Sequence, residues 1–398
     1  MMVNFMTSHK KGSMKEMAIS FLKLGIIAFG GPAAHIAMME EEFIRHHRWL
    51  SREKFLDLLG AASLIPGPSS TEVAIYIGFI RAGWLGLVVA GICFIIPAAI
   101  IVTTLAWLYV QFGSLPQTIG ILYGIKPVVL AVILQALWGL GRSALKTKLL
   151  AIICLAAFVV SFLSINPLTI LIGMGSVVGL CKWIGQLRTG KRLSISSLAL
   201  LLTVLPLALL VQNAAAWTAQ IPFSLDLPSI FLIFLKIGSV VFGSGYVLLA
   251  FLRSDFVVNL HWLNDSQLLD AVIVGQVTPG PVFTTATFIG YLLSGLPGAF
   301  VATVGIFLPA FLIVAISGPL VPRIRQSLVA GAFLDGVIVA SLALMAYVTY
   351  ELGRSTLIDI MTVTWALVSW LLLIRFRVNS AWLVIMGAAI GFLMYLPK

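Results

Sequence analysis

The sequence predicts an all-α polytopic membrane protein. Two inverted homologous repeats of about six membrane elements each are joined by one connecting helix, with broken or re-entrant helices at G-G-P and P-G-P. Three observations carry this. Of 398 residues, 60% are hydrophobic and 10% charged, whereas about a quarter of the residues in a soluble domain carry charge. The apolar residues are gathered into long runs. A P-G-P break inside such a run, Ile65-Pro66-Gly67-Pro68, returns 213 residues later as Thr278-Pro279-Gly280-Pro281. Proline lacks the amide hydrogen a helix needs, so each P-G-P ends one helix and lets another begin.

In chain order the apolar runs fall near residues 17–32, 58–80, 84–110, 117–141, 148–164, 166–184, 197–216, 229–245, 268–293, 296–318, 328–350, 356–374 and 380–396, thirteen in all. Each is long enough to form a membrane element. The first continues into Gly-Gly-Pro without a small-x-small site, so it is not read as a removable signal peptide.

Internal repetition organises the runs better than counting does. Phe21-Leu22-Lys23 and Gly25 return as Phe234-Leu235-Lys236 and Gly238, Phe29-Gly30 as Phe242-Gly243, Trp49-Leu50 as Trp262-Leu263, and Leu56-Asp57 as Leu269-Asp270, all at one offset. After the P-G-P pair the offset drops by one. Gly78, Gly83, Gly86 and Pro97 then match Gly290, Gly295, Gly298 and Pro309, and Leu140-Gly141-Arg142-Ser143 matches Leu352-Gly353-Arg354-Ser355.

The expected organisation is a first repeat over 1–187, a basic loop with a connecting transmembrane helix over 188–228, and a second, inverted repeat over 229–398. The unpaired run 197–216 supplies the odd crossing that turns the second half over, an arrangement that puts transporter sites at the repeat interface.

The net charge of +11 does not point to nucleic acid, because the Lys and Arg residues lie in short clusters between apolar runs. With Lys10, Lys11 and Lys15 in the cytoplasm, the clusters at Arg81, Arg142 to Lys148, Lys182 to Arg192, Arg323 with Arg325, and Arg375 with Arg377 all fall inside. The loops near 112–116, 218–228 and 294–298 carry none. Arg45, Arg48, Arg52 and Lys54 would fall outside. They move inside if the first two elements re-enter on the cytoplasmic face, which broken backbone facing protein allows.

At Gly30-Gly31-Pro32 a helix from about Met17 breaks, and Ala33 to Arg48 reads as a second, amphipathic helix. After Pro68, Ser69, Ser70 and Thr71 can cap a new helix and donate outward. A helix start carries unpaired amides and about half a positive charge, so two starts converging in the membrane suit a tetrahedral oxyanion. The second half offers Gly243-Ser244-Gly245 and Pro279, Gly280 and Pro281 with Thr284, Thr285 and Thr287. The plainer reading of any one break is a kink with small-residue packing. Four breaks at duplicated positions favour the site.

Ionisable residues inside apolar elements cost about 2.5 to 3.5 kcal/mol each on insertion scales and so invite functional readings. Lys23 and Lys236 are kept by both halves. They can draw an anion toward the glycine breaks or snorkel to an interface. Glu72 occurs in the first half alone, where Thr285 is its counterpart, and is the candidate for proton coupling; a cap on the helix start is the plainer role. Lys126, without a counterpart, lines the path or snorkels. Asp57 and Asp270 read as helix-start residues near an interface. His35, His46, His47 and His261 show no metal spacing, and Cys93, Cys154 and Cys181 read as small buried hydrophobes. No P-loop, dinucleotide fingerprint or Ser-His-Asp arrangement occurs. The expectation is neither an enzyme nor an ATP-driven pump, with no cofactor and no metal.

Phe29-Gly30-Gly31-Pro32 with His35, Trp49-Leu50, Phe55, and Pro66-Gly67-Pro68 followed by Glu72 and Gly78 resemble the chromate ion transporter family in its long, two-domain form. The likeness covers the whole chain, although Gly243-Ser244-Gly245 departs from F-G-G-P. The resemblance implies a multi-pass carrier in the cell membrane, N-terminus cytoplasmic, that exports chromate and confers chromate resistance. Its partners would be a chromate or sulfate-like oxyanion and membrane lipid, with a homodimer left open. The membrane potential would drive it, with proton exchange as an addition. The first half's Gly30, Gly31, Pro66, Gly67, Pro68 and Glu72 are expected to dominate, completed by Pro279, Gly280 and Pro281. A sulfate or general small-oxyanion carrier and a passive anion channel are the competing readings.

Overall fold

A computed structural model describes residues 13–28, 31–62, 65–163, 165–188, 225–241, 247–317, 328–376 and 378–394. Gly30, Gly243, Ser244, Gly245 and the expected connector at 197–216 lie outside the described residues. Those described form fourteen α-helices and no strand. Five are long and apolar enough to cross a membrane.

Helix α1 (Met14–Ile27) ends at the first glycine break, and α2 (Gly31–Glu40) starts there with Pro32 in its first turn, where a missing amide costs nothing. A wider π turn, Glu41–His46, continues α2. Helix α3 (Arg52–Ala62) leads to Pro66-Gly67-Pro68, and α4 (Ser69–Phe112) begins just beyond.

Helix α4 is a hairpin. It turns at Ala82 and Gly83, where φ reaches 63° at the glycine. The two arms then meet at Gly78 and Gly86, each of which has no room for a Cβ against the other's carbonyl. The apolar runs 58–80 and 84–110 thus become α3 with the short first arm, and the long second arm. Helices α5 (Pro116–Ala144), α6 (Lys148–Ser161) and α7 (Pro167–Arg188) follow.

The remaining helices repeat these bounds. They are α8 (Leu227–Val240), α9 (Leu248–Leu252) with its π turn Arg253–Asn259, α10 (Asp265–Val277), α11 (Thr285–Ser317), α12 (Leu328–Thr356), α13 (Ile360–Arg375) and α14 (Ser380–Met394). Asp226 caps α8, and capping boxes start α10 at Asn264 with Gln267 and α13 at Asp359 with Thr362. Such caps satisfy amides that a helix start leaves open. Helix α11 turns at Ser294 and Gly295 with nearly the angles of Ala82 and Gly83.

The hairpins α4 and α11 pack on each other at the centre, with α1 against α4 and α8 against α11. Around them the halves interlock. Helix α14 lies on α5, where Gly124, Gly387 and Gly391 let the backbones touch, and α12 lies on α7 through Gly175 and Gly336. Close approach of this kind is how membrane helices gain packing where lipid supplies no hydrophobic drive.

Candidate functional site

The breaks are wired across the two halves. The amide of Gly67 donates to the carbonyl of Val241 at 2.7 Å, and the amide of Gly280 donates to the carbonyl of Ala28 at 2.9 Å. Ala28 and Val241 are the residues at which α1 and α8 stop. Each P-G-P segment is therefore held by the end of the first helix of the other half.

The tips require glycine. Gly67 has φ of 138° and Gly280 of 89°, conformations that a side chain disfavours. A Cβ on Gly280 would also lie 2.6 Å from the Cβ of Ala98, and one on Gly67 would run into the Glu72 carboxyl. Pro68, Pro279 and Pro281 are buried with them, and Pro66 and Pro32 partly so.

The start of α4 is sealed from solvent, with Ser70, Thr71 and Glu72 buried and Ser69 partly exposed. The Thr71 hydroxyl and both Glu72 carboxylate oxygens have no hydrogen-bond partner. Leaving such groups unpaired away from water is costly. The second-half equivalent of this turn differs. There Thr284 donates to the Pro281 carbonyl and Thr285 to that of Val282, both at 2.8 Å.

His35 is the residue that sequence reasoning set aside. It is fully buried one turn into α2, with Nε2 3.0 Å from the Ala28 carbonyl and Nδ1 3.3 Å from the Ser70 hydroxyl. The Phe94 ring meets it edge-on. Ala28 thus accepts from both Gly280 and His35, and a chain of bonds runs from the second half's tip to the start of α4. The available signal was an ionisable residue just after G-G-P; asking only for metal spacing missed it.

Lys23 and Lys236 are each paired with a carboxylate. The Lys23 ammonium lies 3.2 Å from Glu42 and that of Lys236 lies 2.7 Å from Asp255. Each lysine ties the first helix of its half to the π turn that follows, and a carboxylate already answers its charge.

Asp270 does not open its helix, which starts at Asp265 behind the Asn264 cap. It lies buried within α10, 3.1 Å from Lys126 of the other half, and accepts from the Tyr109 hydroxyl at 2.9 Å. Lys126 also donates to Ser266 at 2.7 Å. A carboxylate buried to this degree needs such partners.

The chain matches the family described as Chromate transporter over residues 15–180 and 228–392. A chromate transport protein of Cupriavidus metallidurans is 32% identical, over 96% of this chain and 94% of its own. A probable chromate transport protein of Synechococcus elongatus is 32% identical over 89% and 88%, and a chromate transport protein of Pseudomonas aeruginosa 32% over 86% and 82%. No solved structure matches the chain. With both halves matched and relatives aligned along nearly the whole length, this multi-pass membrane protein belongs to the chromate transporter family.

Proposed function

We propose that the chain is a secondary transporter that carries chromate out of the cytoplasm, along the membrane potential, with proton exchange through Glu72 as added coupling. The observation that carries the reading is the reciprocal crossing of Gly67 on Val241 and Gly280 on Ala28, in a chain of this family. It gathers helix starts, which attract anions, at the meeting point of the two halves. Gly31, Pro32, Pro66, Gly67, Pro68, Ser69, Ser70 and Thr71 form the dominant side of the anion site, completed by Pro279, Gly280, Pro281 and Thr284. Lys23 and Lys236 hold the hairpins rather than the anion.

The architecture behind this is two inverted repeats, 1–187 and 229–398, with the N-terminus in the cytoplasm. Contacts along α4 support the inversion. At its turn the Arg81 guanidinium lies 4.8 Å over the Trp49 ring, beside the start of α3. Midway along the second arm, Phe94 and Pro97 pack on Gly25, and Ala98 lies beside the Gly280 tip. Near its end Tyr109 bonds Asp270, in the first half of α10. Along one helix the order is the root of α3, the tips, then the root of α10. The two P-G-P hairpins thus approach from opposite ends.

Re-entry of the first two elements has similar support. His47, after α2, lies 3.2 Å from Glu16 at the start of α1, and Trp49 before α3 meets Arg81 after the first arm of α4. Each hairpin leaves where it enters. At about 1.5 Å per residue, α1 and α3 are also far short of a ~30 Å hydrocarbon core.

The direction has a physical warrant. An inside-negative potential of about 100 mV is worth about 2.3 kcal/mol per charge, twice that for a dianion leaving the cell. The test is chromate flux through the purified protein in liposomes, with potential and pH gradient imposed separately. Saturable flux that follows the potential, with sulfate added as competitor, is the expected outcome. Flux that never saturates, or unitary currents, would replace the carrier by a channel.

A further inference from the structure

We infer that His35 is a positioning residue that sets the direction of the Ser70 hydroxyl and thereby links the binding of one proton to the binding of the oxyanion. The inference rests on the anion site proposed above.

A carbonyl oxygen only accepts, so the His35 Nε2 facing Ala28 at 3.0 Å carries the hydrogen. In the neutral ring Nδ1 is then a lone pair. The Ser70 hydroxyl at 3.3 Å must donate to it, and turns its own lone pairs toward its surroundings. In that state Ser70 repels an anion. A proton added at Nδ1 reverses the bond. Nδ1–H donates to the Ser70 oxygen, and the hydroxyl hydrogen is released to point at an anion at the start of α4, where Thr71 and Glu72 already lack partners. The proton thus adds both a positive charge and a donor, and loss of the proton withdraws both.

The groups that face the ring are uncharged: the Ala28 carbonyl at the end of α1, the Ser70 hydroxyl on the first arm of α4 and the Phe94 ring on the second. On α1, Lys23 is held by Glu42; on α2 the acids begin at Glu40; residues 278–287 of the opposing tip contain no ionisable side chain. Glu72, two residues beyond Ser70, is the remaining carboxyl of that turn. The device exists once, because at the matching offset the second half has Leu248 and Phe283.

The experiment is chromate uptake by the full chain in liposomes, with equal pH on both sides, stepped from about pH 5.5 to 8. KM is expressed on the concentration of the dianion, because chromate itself takes up a proton in this range. For one linked proton, the wild-type KM rises by about tenfold per pH unit across the upper part of the titration. In His35→Gln the KM profile flattens to less than about twofold per unit, because an amide keeps the bonds without titrating. Ser70→Ala removes the donor but leaves the charge on His35, so it raises KM at low pH and lowers the slope without abolishing it, and the double variant behaves as His35→Gln does. A wild-type slope retained in either variant, or additive effects in the double, would overturn the inference while leaving chromate transport standing. Absence of flux in the wild type would instead remove the functional reading and this inference with it.

Discussion

Gly67 donates its amide to the carbonyl of Val241 at 2.7 Å, across the boundary between the two halves of the chain. Gly280 and Ala28 make the same bond in the reverse sense. A buried amide and a helix-end carbonyl each need a partner, and each half supplies what the other lacks. The breaks are thereby stable without water, which is what lets them lie inside a membrane protein.

Gly280→Ala is expected to lower thermal stability by about 1 to 3 kcal/mol, the usual cost of a side chain at such a backbone angle, and to abolish chromate flux. Part of the cost is contact with Ala98. Combining it with Ala98→Gly should recover some of the melting temperature in detergent, but not all, since φ remains at 89°.

Glu72→Gln keeps the shape of the turn and removes the exchangeable proton. Potential-driven flux is expected to persist, while at saturating chromate, where proton-linked changes in KM no longer count, an imposed pH gradient ceases to accelerate it. Acceleration equal to that of the wild type would take Glu72 out of the coupling.

Removing one member of the Lys126 and Asp270 pair strands the other. Asp270→Asn or Lys126→Met should each cost on the order of 3 kcal/mol in unfolding. The double variant should cost clearly less than the sum, a coupling read from a double-mutant cycle of melting curves. Tyr109→Phe removes the second support of Asp270 and should cost less than either.

Asp359 is an exposed cap that lies outside the spanning segments. Its carboxyl is held below the usual range, first by the Tyr123 hydroxyl at 2.6 Å and then by the Thr362 amide. A carboxylate depressed in the folded state stabilises the fold above its unfolded pKa, and that contribution disappears as pH falls through the folded value. Tyr123→Phe should therefore melt earlier than wild type at neutral pH, with the gap closing as pH falls through and below the ordinary carboxylate range. A constant gap across pH would mean that the hydroxyl acts through packing alone.

What the sequence determined by itself is the membrane class, the places near which α1, α3, α8 and α10 end, and the offset at which residues of one half return in the other. Those features are local. Hydropathy is summed over neighbouring residues, and Pro66-Gly67-Pro68 stops a helix whatever lies beyond it. Even the hairpin turns were marked, by Gly83 and Gly295 at one spacing.

Which group answers which was decided by the tertiary structure. Nothing in the chain near Gly67 names Val241 as its acceptor, and nothing near Asp270 names Lys126, because such partners are chosen by how α4, α5 and α10 cross after folding. The same crossing turned His35 from a bystander into the link between Ala28 and Ser70, and left Lys23 and Lys236 against Glu42 and Asp255. A buried polar group must find its partner in space rather than along the chain, so its role becomes legible only when the helices are assembled.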